Sequence, residues 1–505
     1  MYGVEAVRRA GPMGSVEVRS VEFDSREVRR GALFVAMRGG SADGARFIAD
    51  AVGAGAVAVV TDAAEGFASL AAEFPRVSMV LVGHGRRAMA GLAGNLYNHP
   101  EELLALTGVT GTNGKTTTTF LLDAMLRAAG RSTVLVGTIE YHVASDVRPS
   151  PHTTPESRDL LKLFAEGVAL GATEAVMEVS SHALEQGRVH GLPFDVAVFT
   201  NLTQDHLDFH GTMARYLAAK KALFDGSATG GAPPRVAVIN VEDEYGLEFA
   251  LRAREAGAEL YSYGLGVGEF RAEDIAVTAA GMRFVLRTPW GAEEIVSRLT
   301  GRVNVQNMLA AAAAGLARGL ALGDVVRGAS ELEHVPGRFQ TVGRGQPFTV
   351  VVDYAHTDDA LRNLLAMARK FALAGLDGRP GRVLTLFGCG GDRDRSKRSL
   401  MGAAAGAGSD FCVLTSDNPR GEEPGAILED VLPGLRESGV RYLVEVDRAR
   451  AIRALLAEAR EGDIVLIAGK GHEKTQEIGG EQLPFDDAEV AGRALEELGY
   501  GDGGR

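Results

Sequence analysis

The segment GVTGTNGKTTTT, residues 108–119, constrains the fold of this chain more than any other stretch of its sequence. It follows an apolar run, 103–109, that is typical of a buried strand. Gly111 and Gly114 then allow the backbone to turn tightly and to come close to a ligand. After the loop, apolar residues recur at helical spacing and end before Gly130. A strand, a glycine-rich loop and a helix in this order predict a phosphate-binding site on an α/β domain.

Two side chains of the same loop supply the chemistry that a nucleoside triphosphate requires. Lys115 offers a cation for the β- and γ-phosphates, and the hydroxyl of Thr116 can coordinate a magnesium ion. The strict form of the motif has glycine where this chain has Val109, so the loop is a variant of the usual pattern. We therefore expect the protein to bind a nucleoside triphosphate.

The overall charge and the cysteine content exclude several classes of protein. The 505 residues include 53 Lys and Arg against 66 Asp and Glu, a formal net charge of −13. This balance argues against a nucleic-acid or anionic-membrane partner, so local Lys, Arg and metal must meet a polyanionic substrate. Cys389 and Cys412 provide neither a disulfide framework nor a zinc cluster. Without a signal peptide or an apolar run of membrane-spanning length, we expect a soluble cytoplasmic protein with no membrane insertion.

Strand and helix patterns alternate along the whole chain, and its length predicts about three α/β domains. Pro100 and Pro336 lie in the connectors, so we predict domains at 1–98, 99–335 and 336–505. The alternation indicates mainly parallel sheets covered on both faces by helices. The predicted strands are 16–23, 32–36, 56–60, 79–82, 134–136, 175–179, 196–200, 236–240, 348–353, 382–387, 411–415 and 464–468, with helices at 86–97 and 304–318.

Polar residues follow two of the predicted strands in the middle segment. Glu178 stands near the end of strand 175–179, where it can hold a magnesium ion; a salt-bridged acid at the strand end is the alternative. The next strand is followed by TQDHLDFH, which contains His206 and three further acids and imidazoles, Asp205, Asp208 and His210. Such a run is a solvated loop unless it lies at the ligand-binding edge of the sheet. Because carboxyl ends of parallel strands meet at that edge, we interpret both segments as candidate site residues.

Tyr216 and Lys220 follow at i,i+4 spacing, which places them on one face of a predicted helix. Lys220 precedes Lys221, and composition leaves open which of the two lysines turns inward. A solvated lysine pair is the alternative interpretation of the same residues.

The third segment places charged turns after several of its strands. GCGGDRDRSKR lacks the spacing of a dinucleotide fingerprint, and its basic residues suggest capture of a carboxylate; they are Arg393, Arg395, Lys397 and Arg398. SDNPRGEEP is predicted to expose Asp417, Asn418 and Arg420 at its tip, which offers a cation for a carboxylate and an anion for an ammonium group. AGKGHE, residues 468–473, adds a close backbone approach. An ordinary Asn-Pro turn is the alternative, but the turns together favour an amino-acid site.

Short motifs spread over nearly the whole chain resemble those of the Mur ligases of bacterial cell-wall synthesis. They are DSR at 24–26, GVTGTNGKTTT, HTTPE, MEVSSHALEQGRV, FTNLTQDHLDFHG, GRVNVQNMLAA, VPGRFQ, DYAHT, FGCGGDRD, DNPR and GKGHE. The resemblance implies an N-terminal domain for the UDP end of the substrate, a central ATPase domain and a C-terminal Rossmann-like domain that brings the amino acid. It also implies an ATP-dependent ligase that acts as a monomer on small molecules and uses magnesium.

Carried over by motif, the resemblance implies a role for each candidate site residue. The catalytic residues would be Lys115, Glu178, His206 and Lys220, and the magnesium ligands would be Thr116, Glu178, His206 and Lys220 as a carbamate, which would hold a second ion. The ATP contacts would be Gly111, Thr112, Asn113, Gly114, Lys115, Thr116, Thr117, Asn304, Arg338 and Asp353. The UDP-muramoyl-dipeptide would contact Ser25, Gly40, Ser41, Ala42, Thr153, Thr154, Ser180, Gln186 and Arg188. The amino acid would contact Arg393, Asp417, Asn418, Pro419, Arg420, Gly469 and Glu473.

The choice of amino acid depends, by the same resemblance, on a single arginine. Family members that use meso-diaminopimelate carry DNPR, whose arginine pairs with a substrate carboxylate, and lysine-adding members lack that arginine. Arg420 therefore favours meso-diaminopimelate, added to the D-glutamate γ-carboxylate of the UDP-linked dipeptide. A lysine-adding sibling, folylpolyglutamate synthetase and a nucleotide-dependent switch without ligase activity are the alternatives. Asp358 and Ser399 stand where the family usually has proline, which concerns backbone geometry more than chemistry.

Overall fold

The alternating strand and helix patterns fold into three mainly parallel sheets and one two-stranded ribbon. The computed structural model describes residues 5–12, 16–39, 43–278, 281–374 and 380–501. The described residues form two units: the first lies within 1–274, 284–295 and 303–331, and the second within 275–283, 296–302 and 332–505. In the described part of the chain, no helix is both long and apolar enough to span a bilayer.

The N-terminal segment of the first unit forms a five-stranded sheet. Its strands are β1 (Ala6–Ala10), β2 (Ser20–Glu22), β3 (Ala32–Ala36), β4 (Ala58–Thr61) and β5 (Ser78–Val82), and its helices are α1 (Ile48–Gly53), α2 (Phe67–Glu73) and α3 (Gly85–Tyr97). In the order β1-β5-β4-β3-β2, only β1 runs antiparallel to its neighbour. Strands β3 and β5 are buried along their whole length, as expected for parallel strands covered on both faces.

The middle segment adds a larger sheet and the longest helices of the first unit. Its strands are β6 (Ala105–Thr110), β7 (Thr133–Val136), β8 (Glu140–Val143), β9 (Asp146–Pro149), β10 (Glu174–Glu178), β11 (Phe194–Phe199), β12 (Val236–Asn240), β13 (Glu259–Gly264), β14 (Phe270–Thr278), β15 (Gly281–Thr288) and β16 (Gly291–Ser297). Its helices are α4 (Lys115–Ala128), α5 (Ser157–Ala169), α6 (Ser181–Gln186), α7 (Leu207–His210), α8 (Met213–Lys221), α9 (Gly246–Glu255), α10 (Arg302–Ala317) and α11 (Leu322–Glu331).

The order of these strands explains where a ligand site can form. Strand β6 lies between β10 and β11, in the order β13-β12-β11-β6-β10-β7-β8-β9. Strands β6, β7, β10, β11, β12 and β13 are parallel, whereas β8 and β9 form an antiparallel edge. After β6 the chain crosses to β7 on one side, and later to β11 on the other. The carboxyl ends of β6, β10 and β11 therefore meet at a topological switch point, the usual ligand site of such sheets.

The second unit contains a six-stranded sheet and a separate two-stranded ribbon. Its strands are β17 (Gln340–Thr341), β18 (Thr349–Asp353), β19 (Val383–Phe387), β20 (Phe411–Leu414), β21 (Arg441–Val444), β22 (Ile464–Ala468), β23 (Thr475–Ile478) and β24 (Glu481–Pro484). Its helices are α12 (Asp358–Ala374), α13 (Ser396–Gly408), α14 (Pro424–Glu437), α15 (Arg448–Glu458) and α16 (Asp487–Glu497). The order is β17-β18-β22-β19-β20-β21, parallel apart from β17, and β23 pairs with β24 as a separate antiparallel ribbon. Apolar clusters cover both faces of the sheet.

The predicted α/β class and mainly parallel sheets are confirmed, and several boundaries differ. The strand predicted over 16–23 is limited to 20–22, and the strand predicted from 103 begins only at Ala105, because Leu103 is 63% exposed. The antiparallel strands β1, β8 and β9 were not predicted. They are short, and β1 and β9 are largely exposed, so they lack the apolar runs that identified the central strands.

Candidate active site

The phosphate loop, residues 111–114, joins β6 to α4 at the carboxyl end of the sheet. Gly111 and Gly114 have φ angles of 153° and 85°, which other residues rarely adopt. A Cβ atom on Gly111 would overlap the hydroxyl of Thr200, and one on Gly114 would overlap the amide of Asn307. Glycine at both positions is therefore a requirement of the packing as well as of the turn.

The end of β11 holds the phosphate loop in shape. The backbone N–H of Thr112 donates to the carbonyl oxygen of Asn201 at 2.8 Å, and the N–H of Asn113 donates to the Asn201 side chain at 2.8 Å. The hydroxyl of Thr200 donates to the carbonyl oxygen of Asn113 at 2.6 Å. The loop thus has a fixed conformation through bonds to the neighbouring strand, as a preorganised anion site requires.

Lys115 lies at the first position of α4, with Thr116 and Thr117 buried beside it in the first turn. Its ammonium group donates to the carbonyl oxygens of Gly111 and Thr112, both at 2.9 Å. The cation therefore lies over the loop whose N–H groups and helix end favour anions. The geometry agrees with the phosphate-binding role expected for this residue, which stays a prediction.

The structure shows which of Lys220 and Lys221 turns inward, a question that the helical spacing left open. Lys220 is 1% exposed, and its ammonium group donates to the carbonyl oxygen of Gly111 at 2.8 Å. Lys221 points away and pairs with Glu248 at 3.0 Å. Burial lowers the pKa of Lys220 well below its usual value, and the nearby charge of Lys115 lowers it further. Lys220 is thus the inward lysine, directly against the phosphate loop.

Glu178 is the last residue of β10 and is completely buried. Its carboxylate accepts hydrogen bonds from the backbone N–H and the hydroxyl of Thr138, at 2.7 and 3.0 Å. The Thr138 hydroxyl also lies 3.0 Å from that of Thr153. Sequence reasoning did not single out Thr138, although its position just after the buried strand β7, at the ligand edge, could have identified it. Neutral donors therefore hold the Glu178 carboxylate in place.

His206 and Tyr216 complete the surroundings of Lys220. The Tyr216 hydroxyl lies 3.1 Å from that of Thr112, and its ring lies 4.7 Å from the ammonium nitrogen of Lys220, so the predicted shared helix face is confirmed. His206 has φ of 52° and stacks edge-on against His182 at 4.8 Å. Burial lowers the pKa of His206, and the charges of Lys115 and Lys220 also lower it. A neutral imidazole is the form that binds metals.

The expected contacts of the muramoyl-dipeptide lie together next to the carboxyl end of β10. The Thr154 hydroxyl donates to the carbonyl oxygen of Glu178 at 2.8 Å and accepts from the backbone N–H of Ser180 at 3.1 Å. Arg188 donates to the carbonyl oxygen of Thr154 at 2.8 Å and to the side chain of Gln186 at 3.0 Å. These predicted residues therefore form one connected polar patch in the first unit.

Ser25, the expected contact of the UDP end, lies in a turn that Arg158 attaches to helix α5. Arg158 pairs with Glu22 at 2.9 Å and with Glu27 at 2.5 Å, which lie on either side of Ser25. Its guanidinium also lies 5.1 Å from the ring of Phe23. Three further expected contacts lie outside the described residues: Gly40, Ser41 and Ala42.

The remaining expected ATP contacts belong to different units. Asn304 is a buried residue of the first unit, and its side chain accepts from that of Asn307 at 2.9 Å. In the second unit, the guanidinium of Arg338 lies 4.8 Å from the ring of Tyr354. Burial raises the pKa of Asp353, whose carboxylate accepts from the backbone N–H groups of Phe339 and Ala355.

Two side chains of the turn after β20 are buried, whereas the sequence predicted that they are exposed. Asp417 and Asn418 are buried, at 9% and 7% exposure. One carboxylate oxygen of Asp417 accepts from the backbone N–H of Asn418 at 2.8 Å, and the other is buried without a hydrogen-bond partner in the described structure. That oxygen faces Gly469, whose φ is 116° and whose missing side chain leaves room beside it. A buried, unpartnered carboxylate oxygen is suited to receive a cationic group.

Arg420 is held by the two neighbouring segments of the second unit. Its guanidinium donates to the carbonyl oxygen of Gly391 at 2.7 Å and lies 3.4 Å from the carboxylate of Glu477 in β23. A Cβ atom on Gly390 would lie 2.9 Å from this guanidinium, and one on Gly391 would overlap the carbonyl group of Pro419. The glycines of GCGG therefore leave space for the neighbouring turn.

Two of the arginines expected to capture a carboxylate already bind carboxylates of the protein. Arg398 is buried and pairs with Glu422 at 2.7 Å and with Asp430 at 2.8 Å. Arg395 also pairs with Asp430, at 2.8 Å. These ion pairs attach the start of α13 to α14, and the capture of a substrate carboxylate by the two arginines stays a prediction. Arg393 lies exposed on the same turn.

The fold and the site together define a class: an α/β protein with a glycine-rich loop of phosphate-binding type in one unit and a turn that carries an aspartate and an arginine in the other. Three family models match the chain: "Mur ligase family, catalytic domain" over residues 17–97, "Mur ligase middle domain" over 109–315, and "Mur ligase, glutamate ligase domain" over 337–471. Together with the relatives described next, they establish the family.

Curated relatives match over nearly the full length. The UDP-N-acetylmuramoyl-L-alanyl-D-glutamate–2,6-diaminopimelate ligase of Solibacter usitatus is 52% identical over 492 residues, which are 97% of this chain and 96% of that protein. The ligase of the same name from Geobacillus kaustophilus is 44% identical over 489 residues, 96% of each protein. A solved structure of a ligase with this name is 33% identical, covers 96% of both chains and has a TM-score of 0.67. The chain belongs to the Mur ligase family.

Proposed function

We propose that this chain is an ATP-dependent amide ligase that joins meso-2,6-diaminopimelate to the D-glutamate γ-carboxylate of UDP-N-acetylmuramoyl-L-alanyl-D-glutamate. The observation that carries the proposal is the turn of Asp417, Asn418 and Arg420, which holds an anion and a cation close together in the chain. A diamino diacid presents an ammonium group and a carboxylate, and such a turn can bind both. The names of the relatives from S. usitatus and G. kaustophilus support the same substrate.

The proposed reaction has two steps, and the atoms balance in each. An oxygen of the γ-carboxylate attacks the γ-phosphorus of ATP, the bond to the bridging oxygen breaks, and ADP leaves as an acyl phosphate forms. The amine nitrogen of the diamino acid then attacks the acyl carbon, loses a proton, and displaces inorganic phosphate to give the amide. Little covalent chemistry falls to the protein, so positioning and charge neutralisation dominate its contribution.

The phosphate loop is the proposed site of charge neutralisation. Lys115 and the N-terminus of α4 would face the transferred phosphate, with the loop held in shape by Asn201. Across the same sheet edge, Thr154, Ser180 and Arg188 would hold the dipeptide end. Asn304 would contact the nucleotide in the first unit, and the roles expected of Arg338 and Asp353 in the second unit stay predictions.

Magnesium is proposed as the cofactor of this site. Among the described residues, no group of three or more His, Cys, Asp or Glu side chains could hold a metal ion. This fits magnesium, which is usually bound by one or two carboxylates together with substrate phosphates and water. Thr116, Glu178 and His206 would hold it, and the ion would neutralise the developing phosphate charge. In the described part of the chain, the buried Glu178 carboxylate accepts hydrogen bonds from neutral donors of Thr138, so a metal ion there would be a favourable partner.

Lys220 is proposed to carry a carbamate. The ammonium group would lose one proton to give the neutral amine. Its nitrogen would then form a bond to the carbon of carbon dioxide and lose a second proton, so that the cation becomes a carbamate anion. The support is its position, fully buried and hydrogen-bonded to the carbonyl oxygen of Gly111 in the phosphate loop. As an anion there, Lys220 would be an additional metal ligand. Mass spectrometry of the intact, undenatured protein with and without bicarbonate tests this modification.

Phosphate release with parallel amino acids tests the ligase. The purified chain is incubated with ATP, Mg²⁺ and the UDP-linked dipeptide, with meso-diaminopimelate or L-lysine added separately. We expect turnover with diaminopimelate, and a loss of about 100-fold or more in kcat/KM for Arg420→Ala, because a charge-assisted bidentate pair is removed. Arg450→Ala is the control, since Arg450 is 73% exposed on α15 in the same unit and should retain activity.

The other outcomes of this experiment are equally informative. Turnover with lysine, unaffected by Arg420→Ala, would retain the ligase and reject the assignment of diaminopimelate. Phosphate release that does not depend on either amino acid would reject ligation and favour a nucleotide-dependent switch. Since the proposed substrates are ATP and a UDP-linked precursor, we also propose that the reaction is cytoplasmic. We propose that the chain is a monomer, which light scattering tests. Its proposed domains are 1–98, 99–335 and 336–505, and limited proteolysis tests these boundaries.

A further inference from the structure

We propose that Lys470 is a positioning residue, which fixes Asn418 and Glu473 in the orientation that receives the diamino acid. The inference rests on the proposed ligase function and concerns the same amino-acid site. Lys470 follows β22 directly after Gly469 and is completely buried. Sequence analysis gave it no role, because only its neighbours at 469 and 473 were expected to contact the amino acid.

Three side chains form a closed network around the ammonium group of Lys470. It donates to the side-chain oxygen of Asn418 at 2.9 Å and to one carboxylate oxygen of Glu473, Oε2, at 2.8 Å. The amide nitrogen of Asn418 donates to the same Oε2 at 2.7 Å. Each member of the network therefore contacts both others, so a change in one should alter the other two.

The network determines which way the Asn418 amide points. Its oxygen also accepts from the backbone N–H of Glu477 at 3.0 Å, so two donors meet that oxygen. A reversed amide would place its NH2 group against the ammonium of Lys470 and against this backbone N–H, which is a repulsive arrangement. Both bonds to Glu473 use Oε2, and Oε1 takes part in neither. We assign Oε1 to an ammonium group of the diamino acid.

The charges around the site give Lys470 a second effect. Arg448 pairs with Asp487 and also lies within electrostatic reach of Asp417 and Glu473. Lys470 adds a second cation beside these carboxylates, 2.8 Å from that of Glu473. Without Lys470, Glu473 would lose the cation that holds it.

Stability alone does not account for a fully buried lysine. Taking an ammonium group out of water is strongly unfavourable, and replacing a buried ion pair by apolar side chains is often neutral or stabilising. Lys470 connects Asn418 of the turn to Glu473, and both of these residues were expected to bind the amino acid. A positioning role explains why the charge is there.

Steady-state kinetics of Lys470→Met in the full-length chain tests the proposal. We expect the KM for meso-diaminopimelate to rise about 10- to 100-fold, because a hydrogen-bond network to a charged group is lost. The KM values for ATP and for the UDP-linked dipeptide should stay within about twofold, and kcat should change less than the KM for the diamino acid. A general loss of structure would change all of these values together.

Two further variants keep the test decisive. Lys474→Met is the matched control, because Lys474 lies four residues away with a side chain that is 69% exposed, and its KM values should match those of the unmodified chain. Lys470→Gln keeps a donor for Asn418 but loses the charge, so its KM for the diamino acid should lie between those of the unmodified chain and Lys470→Met. If Lys470→Met is insoluble, Lys470→Gln supplies the measurement.

The outcomes that would overturn the proposal are distinct from failure of the ligase itself. An unchanged KM for diaminopimelate in Lys470→Met, or an equal change in all KM values with a lower thermal midpoint, would reject the positioning role. Exchange of label between ADP and ATP in the presence of the UDP-linked dipeptide and phosphate reports acyl-phosphate formation, and it should remain in the variant. If the unmodified chain shows no ligation with any amino acid, the proposed function fails first.

Discussion

Lys115 and Lys220 donate to the same carbonyl oxygen, that of Gly111, at 2.9 and 2.8 Å. The first lysine starts helix α4 and the second lies near the end of helix α8. Two ammonium groups on one acceptor repel each other, and each favours a neutral form of the other. Burial is the larger cause of the low pKa of Lys220, and Lys115 is the second. The phosphate loop therefore brings together a cation and a second lysine that is easily discharged.

Lys220→Met should abolish ligation with little effect on stability. An apolar side chain of similar length fits a fully buried site, so we expect a thermal midpoint within about 3 °C of the unmodified chain. Phosphate release should fall by at least about 100-fold, as when a group that stabilises transition-state charge is removed. Lys221→Met is the control, since Lys221 points away from the loop and pairs with Glu248. Equal losses in both variants would contradict the assignment of Lys220.

Arg158→Met should weaken binding of the UDP-linked substrate. The change removes the ion pairs to Glu22 and Glu27 that attach the turn of Ser25 to α5. We expect the KM of the UDP-linked dipeptide to rise about tenfold, with the KM of ATP unchanged, because the phosphate loop keeps its contacts. Arg148→Met is a suitable control, as its ion pairs are partly exposed. A larger effect on ATP than on the dipeptide would be inconsistent with this role.

His142 should make the stability of the first unit depend on pH in the alkaline range. Burial opposes its charged form, but hydrogen bonds to Asp123 and Glu140, at 3.2 and 2.8 Å, outweigh burial and raise the pKa of His142 to about 9. A raised pKa stabilises the folded state below the unfolded pKa of about 6.5, and this contribution is lost as the pH rises through 9.

Urea unfolding measured from pH 6 to pH 10 tests the His142 prediction. The free energy of unfolding should fall by at most about 3 kcal/mol over this range, the value of a shift of this size. In His142→Gln the decrease should be smaller by that amount, since no group titrates at this position. If the free energy of unfolding depends on pH in the same way in the unmodified chain and in His142→Gln, His142 is not charged in the folded state.

The buried ion pair between Arg448 and Asp487 should be costly to break and cheap to replace. Both side chains are 0% exposed, and Arg448 also donates to the carbonyl oxygens of Ser416 and Ala468. Arg448→Met alone leaves a buried carboxylate and should destabilise the chain by about 3–5 kcal/mol. The double change Arg448→Met with Asp487→Leu should recover most of that loss. Chemical denaturation of both variants measures it, and additive losses would contradict the pairing.

The central strands and the phosphate loop were predictable because their signals are local. A continuous apolar run such as 464–468 is specific for a buried parallel strand, and the structure has β22 over the same residues. Glycine at 111 and 114 predicts a turn with positive φ angles, which both residues have. The motif spacing predicts that the next residue, Lys115, lies at the start of the helix. The family resemblance is likewise confirmed, whereas the domain boundaries after residues 98 and 335 stay predictions.

Features that depend on contacts distant in sequence were not predictable. Nothing in the residues around Lys220 and Lys221 shows which side chain is buried, and only the family resemblance favoured Lys220. The packing of α8 against the phosphate loop turns Lys220 inward. Asp417 and Asn418 were expected at an exposed tip, but the GKGHE segment covers them. Arg398 carries the same charge as a ligand-binding arginine, yet it binds Glu422 and Asp430. In each case the residue that contacts the side chain is distant in sequence, so the local sequence pattern cannot predict the contact.

The packing of Gly390 and Gly391 against Pro419 and Arg420 has a consequence for how this chain can change. A Cβ atom at 391 would overlap the carbonyl group of Pro419, and one at 390 would displace the end of the Arg420 side chain, so changes in the two loops are coupled. Random mutagenesis directed only at 417–420 would leave Gly390 and Gly391, which face this turn, unchanged. A library that varies both loops at once should yield enzymes with a new amino-acid preference far more often, and the selected changes should occur in pairs.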